Sequence, residues 1–221
     1  MIVLFTSNNS GGVIQFVMQL VHSFTNLNID VIALVPNGSR YSVEQTLESK
    51  VNFYEKKKSI RSLSKDANTI SDQITKYNPI LVWFIDDSIL SMKVLITLTD
   101  KVQTFLTIHD VNQHLYQFNL RRSVVGSIKN VIRPEAISKA TKILLLSENS
   151  HSHFESKYPR YINKTVVFKL GAHIPIVSPQ STEIDSKYER GYYLFFGRID
   201  KYKGISNLLK AYLAISKDIN I

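Results

Sequence analysis

Short apolar runs recur along the chain, and segments long enough to form a helix separate most of them. Each run is rich in branched aliphatic and aromatic residues, which is typical of buried strands. The runs lie at residues 2–5, 31–35, 51–54, 80–85, 105–108, 143–146 and 166–170. Strands that alternate with helices form mostly parallel sheets with helices on both faces. The pattern therefore predicts an α/β fold built on a Rossmann-like sheet.

A further apolar run comes late in the chain and leads into a basic loop. Residues 191–196 predict a buried strand that ends at Gly197, and the apolar spacing after Gly204 predicts an amphipathic helix. The loop between them carries Arg198 and Lys203, and open α/β sheets bind ligands at such strand ends. A guanidinium group matches phosphate oxygens bidentately, and an ammonium group adds a mobile charge. The loop has the chemistry of a diphosphate site, with a solvated basic loop as the alternative.

This strand-G-R-x-x-x-x-K-G-helix segment resembles the donor-binding segment of family 4 retaining glycosyltransferases. The resemblance implies a two-domain GT-B fold, whose second domain opens with this segment. It implies that Gly197, Arg198 and Lys203 belong to the site for the diphosphate of a nucleotide-sugar. The nucleotide-sugar is a substrate, so the resemblance implies no cofactor. GT-B enzymes generally need no bound metal, and none is expected here.

The same resemblance sets the expected domain boundaries. Residues 1–172 form the acceptor-side domain, residues 173–190 are a linker that contains proline and serine, and residues 191–221 begin the donor-binding domain. Family members carry a pair of donor-site glutamates further along that second domain. One strand and one helix cannot form a core of their own. We therefore expect a truncated enzyme, or an enzyme completed by a complementary chain.

The first strand runs into a polar loop that contains Gly11 and Gly12, and a helix pattern follows. A helix N-terminus presents free backbone N–H groups and the positive end of the helix dipole, which favours anions. The loop matches neither the dinucleotide fingerprint nor the P-loop motif. It resembles the glycine-rich first loop of family 4 enzymes, which implies that both glycines approach the donor diphosphate. A simple turn with a helix cap is the alternative.

The fifth strand ends in His109 and Asp110. A histidine just past the carboxyl end of a strand can donate a hydrogen bond or a proton to a sugar hydroxyl. A His-Asp pair at this position resembles a recurrent family feature, which implies a catalytic His109 near the reacting sugar. A buried, hydrogen-bonded histidine is the alternative. Asp86 and Asp87 follow the fourth strand, and with Ser88 they predict a helix cap rather than a metal site.

A helix is predicted from Arg122 to the residue before Pro134. Its apolar positions, Val131 among them, share one arc, and Arg122, Lys129 and Arg133 lie on the flank of that arc. Two interpretations fit this pattern. The helix lies on an anionic membrane surface, or it packs on the core with a solvated edge, and the second interpretation is favoured.

Composition narrows the classes of partner and compartment. The 221-residue chain has a formal net charge of +9, no cysteine, and no apolar run near the roughly 20 residues of a membrane span. The charge suits anionic partners such as nucleotide-sugars, lipid phosphates or membrane surfaces, whereas no known nucleic-acid-binding motif is present. The absence of cysteine excludes disulfides and thiolate metal sites. We expect a cytoplasmic protein, with peripheral contact at the inner face of the membrane as a further option.

Together these features predict a retaining glycosyltransferase. It would transfer a sugar from a nucleotide-diphosphate-sugar to a hydroxyl acceptor, a sugar or a lipid-linked one, in polysaccharide or glycolipid synthesis. The alternative is a non-catalytic sugar- or lipid-binding module that works with another chain. A nicotinamide-dependent oxidoreductase is disfavoured because the glycine fingerprint is missing.

Overall fold

A computed structural model describes residues 1–39, 45–55, 62–98, 102–111, 120–169, 195 and 203–218. The chain divides into two compact units. The first comprises Met1–Gln113 and Asn119–His173, and the second comprises His114–Phe118 and Ile174–Ile221. The expected boundary between residues 172 and 190 stays a prediction.

The first unit contains a seven-stranded sheet. Its strands are β1 (Ile2–Phe5), β2 (Val31–Pro36), β3 (Val51–Tyr54), β4 (Leu81–Phe84), β5 (Gln103–Ile108), β6 (Lys142–Leu145) and β7 (Thr165–Val167). The helices of this unit are α1 (Gly12–Asn26), α2 (Leu63–Lys76), α3 (Ile89–Thr97), α4 (Leu120–Lys139) and α5 (Glu148–Lys157). Two 3-10 helices, Gln45–Lys50 and Pro159–Lys164, precede β3 and β7. Each of the seven runs that predict a strand in this unit forms one.

All neighbouring strands pair in parallel, in the order β3-β2-β1-β4-β5-β6-β7. The predicted α/β, Rossmann-like sheet is therefore confirmed. Strands β2 and β3 lie on one side of β1, and the chain then crosses to the other side of β1 to form β4. In open α/β sheets, ligands bind outside the carboxyl ends of the strands at such a switch point.

Alternate residues of the strands enter two separate cores, one on each face of the sheet. Val3 and Phe5 belong to the larger core with residues of α2, α3 and α4, whereas Leu4 belongs to the smaller core with residues of α1. Because both faces are covered, the strands are apolar on both sides. That continuity explains why each strand is a plain apolar run rather than an alternating pattern.

The prediction that the fourth helix ends before Pro134 is wrong, because α4 continues through Pro134 to Lys139. Proline inside a helix removes one backbone hydrogen bond and disfavours the preceding turn. Here the last turns are held by packing, since Ala136 and Ile137 are fully buried. The ammonium group of Lys164 also donates hydrogen bonds to the carbonyls of Ser138 and Ala140. Tertiary contacts thus outweigh the local cost of the proline.

The second unit contains α6 (Ile205–Asp218), which confirms the helix predicted after Gly204. Gly204 has a φ of +71°, and its carbonyl accepts a hydrogen bond from the Leu208 amide. The predicted strand at 191–196 lies outside the described residues except for Phe195. The predicted linker lies outside them as well.

Candidate functional site

Asp86, just past the end of β4, joins the carboxyl ends of β1 and β4. Its carboxylate accepts hydrogen bonds from the Thr6 hydroxyl at 2.6 Å and from the Ser7 amide at 2.8 Å. It also accepts from the Ser91 hydroxyl at 2.7 Å and from the Ser88 amide at 3.0 Å. The side chain is therefore a buried acceptor that holds the first loop against the start of α3.

Two opposing effects act on the pKa of Asp86. Burial acts to raise it, but the hydrogen bonds from Thr6, Ser91, Ser7 and Ser88 together hold the pKa below its usual value. Nearby, the Tyr54 hydroxyl donates to the Thr6 carbonyl at 3.0 Å. Burial, and secondarily the charge of Asp86, raise the pKa of Tyr54, so the phenol stays protonated. The pattern suits a fixed structural anion.

The loop after β1 leaves the N-terminus of α1 open. Gly11 is the N-cap residue with φ +78° and ψ −166°, and the cap carries no side-chain hydrogen bond. The first turn contains no acidic residue, and Gly11 and Gly12 are both exposed. The first backbone N–H groups of a helix lack helical partners, and the dipole places positive charge there. The arrangement can accept an anion such as phosphate.

His109 lies at the same edge of the sheet, directly after β5. Its ring is half-buried, and Nε2 donates a hydrogen bond to the Ile85 carbonyl at 2.8 Å. The histidine is therefore anchored to the end of the neighbouring strand β4. This geometry includes the hydrogen bond of the structural alternative, yet it leaves the ring at the edge where open α/β sheets bind ligands.

Arg133 is predicted on the solvated flank of its helix, but it is buried in the structure. It is 0% exposed, and its guanidinium group forms an ion pair with Asp87 and donates to the carbonyls of Asp110 and Val111 at 3.1 Å each. Lys129 completes this group at 3.0 Å from Asp87. We call Asp87, Lys129 and Arg133 the strand-end clamp, because they fasten α4 to the loops that follow β4 and β5.

The predicted buried and exposed faces of α4 are wrong at two positions. Val131, assigned to the apolar arc, is 79% exposed, whereas Arg133, assigned to the solvated flank, is buried. A buried arginine needs a charged partner, and that partner is 46 residues away in sequence. No local sequence pattern indicates such a pairing. A signal that could have pointed to it is the acidic Asp87 beside the predicted helix cap. The side chain of Arg122 lies outside the described residues.

The interpretation of Asp86, Asp87 and Ser88 as a helix cap is confirmed. Ser88 is the N-cap of α3, and its hydroxyl accepts a hydrogen bond from the Ser91 amide. The two aspartates serve other partners, one in the hydrogen-bond network and one in the clamp. Among the described residues, no group of three or more acidic or histidine side chains could hold a metal ion.

The predicted site residues divide between the two units. Gly11, Gly12 and His109 lie at the carboxyl edge of the sheet in the first unit. Lys203 lies in the second unit, directly before Gly204 and α6. Gly197 and Arg198 lie outside the described residues. The diphosphate site therefore stays a prediction.

Solved structures share this fold. HepE of Anabaena, in complex with UDP and glucose, matches with a TM-score of 0.52 at 14% identity, over 77% of this chain and 44% of its own. The UDP-GlcNAc 2-epimerase of Methanocaldococcus jannaschii matches with a TM-score of 0.52 at 10% identity, over 76% of this chain and 45% of its own. A glycosyltransferase of Rickettsia africae ESF-5 matches with a TM-score of 0.55 at 18% identity, over 92% of this chain and 54% of its own.

The chain shares the Rossmann-like α/β fold of these GT-B structures. Identities this low establish the fold alone, and the chain spans about half the length of these structures. No protein-family model matches the chain, and no curated protein sequence matches it significantly. Within the described residues, no helix has the length and apolar character needed to cross a bilayer.

Proposed function

We propose that the chain belongs to a retaining glycosyltransferase that uses a nucleotide-diphosphate-sugar as donor and a hydroxyl as acceptor. The observation that carries the proposal is the placement of an open helix N-terminus and a histidine at one edge of a GT-B-type sheet. Gly11 and Gly12 begin α1 after the loop that follows β1, and His109 directly follows β5. Membership of family 4 and a role in polysaccharide or glycolipid synthesis are part of the proposal.

Each predicted residue has a task in this scheme. Arg198 and Lys203 neutralise negative charge that develops on the departing diphosphate, which is the main electrostatic demand of the transfer. The α1 N-terminus, opened by Gly11, adds its dipole to that stabilisation. His109 orients the reacting sugar. No metal or cofactor is needed in the scheme, since the protein supplies the cations.

The neighbours support this choice of substrate. The Anabaena structure holds UDP and glucose, and the Methanocaldococcus enzyme is named for a UDP-sugar. We propose a nucleotide-sugar donor and a sugar or lipid-linked acceptor for this chain on that basis. The proposed setting is the cytoplasm, with peripheral contact of the basic protein at an anionic membrane surface.

One observation favours the alternative of a partner-dependent module. Large apolar side chains on α6 are exposed, and they are those of Leu208, Leu209, Tyr212, Leu213 and Ile215. Exposed apolar patches of this kind mark interaction surfaces. A complementary chain that supplies further donor-site residues would cover them. This alternative predicts tight association with that chain and no turnover by this one.

Substitutions in the basic loop test the proposal. We expect Arg198→Ala and Lys203→Ala each to weaken UDP binding about tenfold, because a charge-assisted hydrogen bond contributes roughly 1.5–3 kcal/mol. Isothermal calorimetry on the 221-residue chain measures this effect. Lys210→Ala removes an exposed lysine of α6 and serves as the matched control. Unchanged affinity in both loop variants would contradict the proposal.

A further inference from the structure

Three large apolar side chains are exposed at the amino edge of the sheet, where the strands begin. They belong to Leu27, Ile29 and Ile80, which are 67%, 37% and 70% exposed. Leu27 and Ile29 precede β2, Ile80 directly precedes β4, and both strands pair with β1. Single exposed apolar residues are ordinary, whereas a group of them marks an interaction surface. We call these three residues the amino-edge patch.

Hydrogen bonds at the start of β1 hold the two halves of the patch beside each other. The Ile2 amide donates to the Asp30 carbonyl at 2.8 Å. The Ile80 amide donates to the Met1 carbonyl at 3.0 Å. Neighbouring strands lie about 4.8 Å apart, so two such steps separate the β2 side of the patch from the β4 side. A single partner surface can therefore cover both halves.

The same kind of helix end leads into each half of the patch. Asn28 follows α1 with a φ of +57°, and Asn78 follows α2 with a φ of +46°. The Ile29 amide donates to the Phe24 carbonyl at 2.8 Å, as in a Schellman cap. The Asn78 amide donates to the Thr75 carbonyl at 2.9 Å. These caps fix the backbone before each isoleucine, so the patch is formed in advance on both sides of β1.

The charges beside the two halves have opposite signs. Asp30 lies next to Ile29, and its side chain is 62% exposed. Its ion pair with Lys50, at 3.4 Å, is solvent-exposed and contributes little, which leaves the carboxylate available to a partner. Lys76, the last residue of α2, is exposed on the Ile80 side. A surface with an anion on one side and a cation on the other is complementary to itself after a half-turn.

We propose that the amino-edge patch is the interface of a symmetric dimer with a second copy of this chain. A two-fold axis at the start of β1 places Leu27 and Ile29 of one copy on Ile80 of the other. It also places Asp30 opposite Lys76, and each contact occurs twice. The candidate ligand site lies at the carboxyl edge, so the inference goes beyond the proposed function and does not depend on it. The patch is small, and the dimer it forms is weak.

Sedimentation equilibrium of the 221-residue chain, from about 1 µM to about 1 mM, measures this association. We expect a monomer–dimer equilibrium whose dissociation constant rises at least about tenfold in Ile80→Asp, because a charge enters an apolar contact. Val131→Asp alters a similarly exposed residue of α4 and is the matched control, expected within about twofold of the unaltered chain. A monomer at every concentration, or equal effects of the two substitutions, would overturn the inference.

Charge reversal tests the two-fold arrangement. Asp30→Lys and Lys76→Asp each place like charges across the interface, so each variant alone should dimerise at least about fivefold more weakly. An equimolar mixture of the two variants should form heterodimers, because every charge at these positions then faces its opposite. Circular dichroism verifies that both variants are folded. If the mixture associates no better than the separate variants, the symmetric interface is wrong.

A lipid surface is the competing occupant of the patch. Flotation with vesicles of equal parts phosphatidylcholine and phosphatidylserine tests it. We expect the unaltered chain and Ile80→Asp to remain unbound to the same extent. A chain that sediments only as a monomer and binds these vesicles, with binding lost in Ile80→Asp, would overturn the dimer and assign the patch to a membrane.

Discussion

At the scale of single residues, Gly11 shows how backbone conformation opens the candidate site. Its φ of +78° with ψ of −166° falls in a region that side-chain-bearing residues avoid. Space is not the restriction, because a Cβ built at Gly11 or Gly12 meets nothing within 4 Å. The glycine is needed for its backbone, which turns the chain into α1 and leaves the first N–H groups uncovered.

These two glycines make a matched pair for mutagenesis. We expect Gly11→Ala to lower the free energy of unfolding by about 1–3 kcal/mol, because alanine is strained in that conformation. Gly12→Ala, in the first turn of α1, should leave stability unchanged or raise it by about 0.4–1 kcal/mol. Urea unfolding followed by circular dichroism measures both. Equal effects of the two substitutions would show that the Gly11 conformation is wrong.

Asp86 offers a prediction about pH. Its pKa in the folded chain is lowered, so the carboxylate contributes stability above its unfolded pKa of about 3.9, and this contribution is lost as pH falls through the folded-state pKa. We expect Asp86→Asn to cost about 3 kcal/mol at neutral pH, because an amide N–H₂ would face donors that the carboxylate now satisfies. The cost should shrink in acid.

The control for this measurement is Asp72→Asn, which alters an exposed aspartate of α2. Its unfolding curve should match that of the unaltered chain within about 0.5 kcal/mol. Should Asp86→Asn unfold at the same urea concentration as the control at neutral pH, the carboxylate network would not have the role assigned to it.

At the scale of elements, the ion pair between Arg133 and Asp87 determines which face of α4 is buried. Replacing Arg133 with methionine leaves the buried Asp87 with Lys129 as its remaining ion-pair partner among the described residues. We expect Arg133→Met to destabilise the fold by about 2–3 kcal/mol, because Asp87 keeps only Lys129 and the carbonyls of Asp110 and Val111 lose the Arg133 donor. Val131→Ser, two residues earlier on the exposed face, should change stability by less than about 0.5 kcal/mol. Thermal unfolding of the two variants tests which face of α4 is buried.

The elements also show what a single sequence can and cannot predict. The strands were predictable because a parallel strand buried on both faces is a continuous apolar run, and β1 and β4 are such runs. The end of α4 was not, since packing of Ala136 and Ile137 outweighs Pro134. The burial of Arg133 was not, since its partner lies in another loop. Contacts between segments distant in sequence leave no local pattern.

The candidate site likewise has features that the sequence predicts and features that depend on contacts between distant segments. The sequence shows that Gly11 and Gly12 follow the first predicted strand and that His109 follows the fifth, and residues after parallel strands lie at one edge of a sheet. The hydrogen bond of His109 could not be predicted, since it depends on the Ile85 carbonyl just past a neighbouring strand.

At the scale of the whole molecule, the carboxyl edge of the sheet is the proposed ligand-binding edge. Among the described residues, the carboxyl edge combines the switch point, the open α1 N-terminus and His109. Lys203 of the second unit is proposed separately, as a cation that binds the donor diphosphate. A nucleotide-sugar should therefore perturb residues from separate parts of the sequence together.

The most direct test is a titration of the ¹⁵N-labelled chain with UDP-glucose, followed by amide chemical shifts. We expect the largest shifts at Gly11, Gly12 and His109, with a further group at Lys203 and Gly204. Asn78 and Thr141, which precede β4 and β6 at the opposite edge, should not move. Shifts concentrated at that opposite edge, or no shifts at the glycines and His109, would contradict the account.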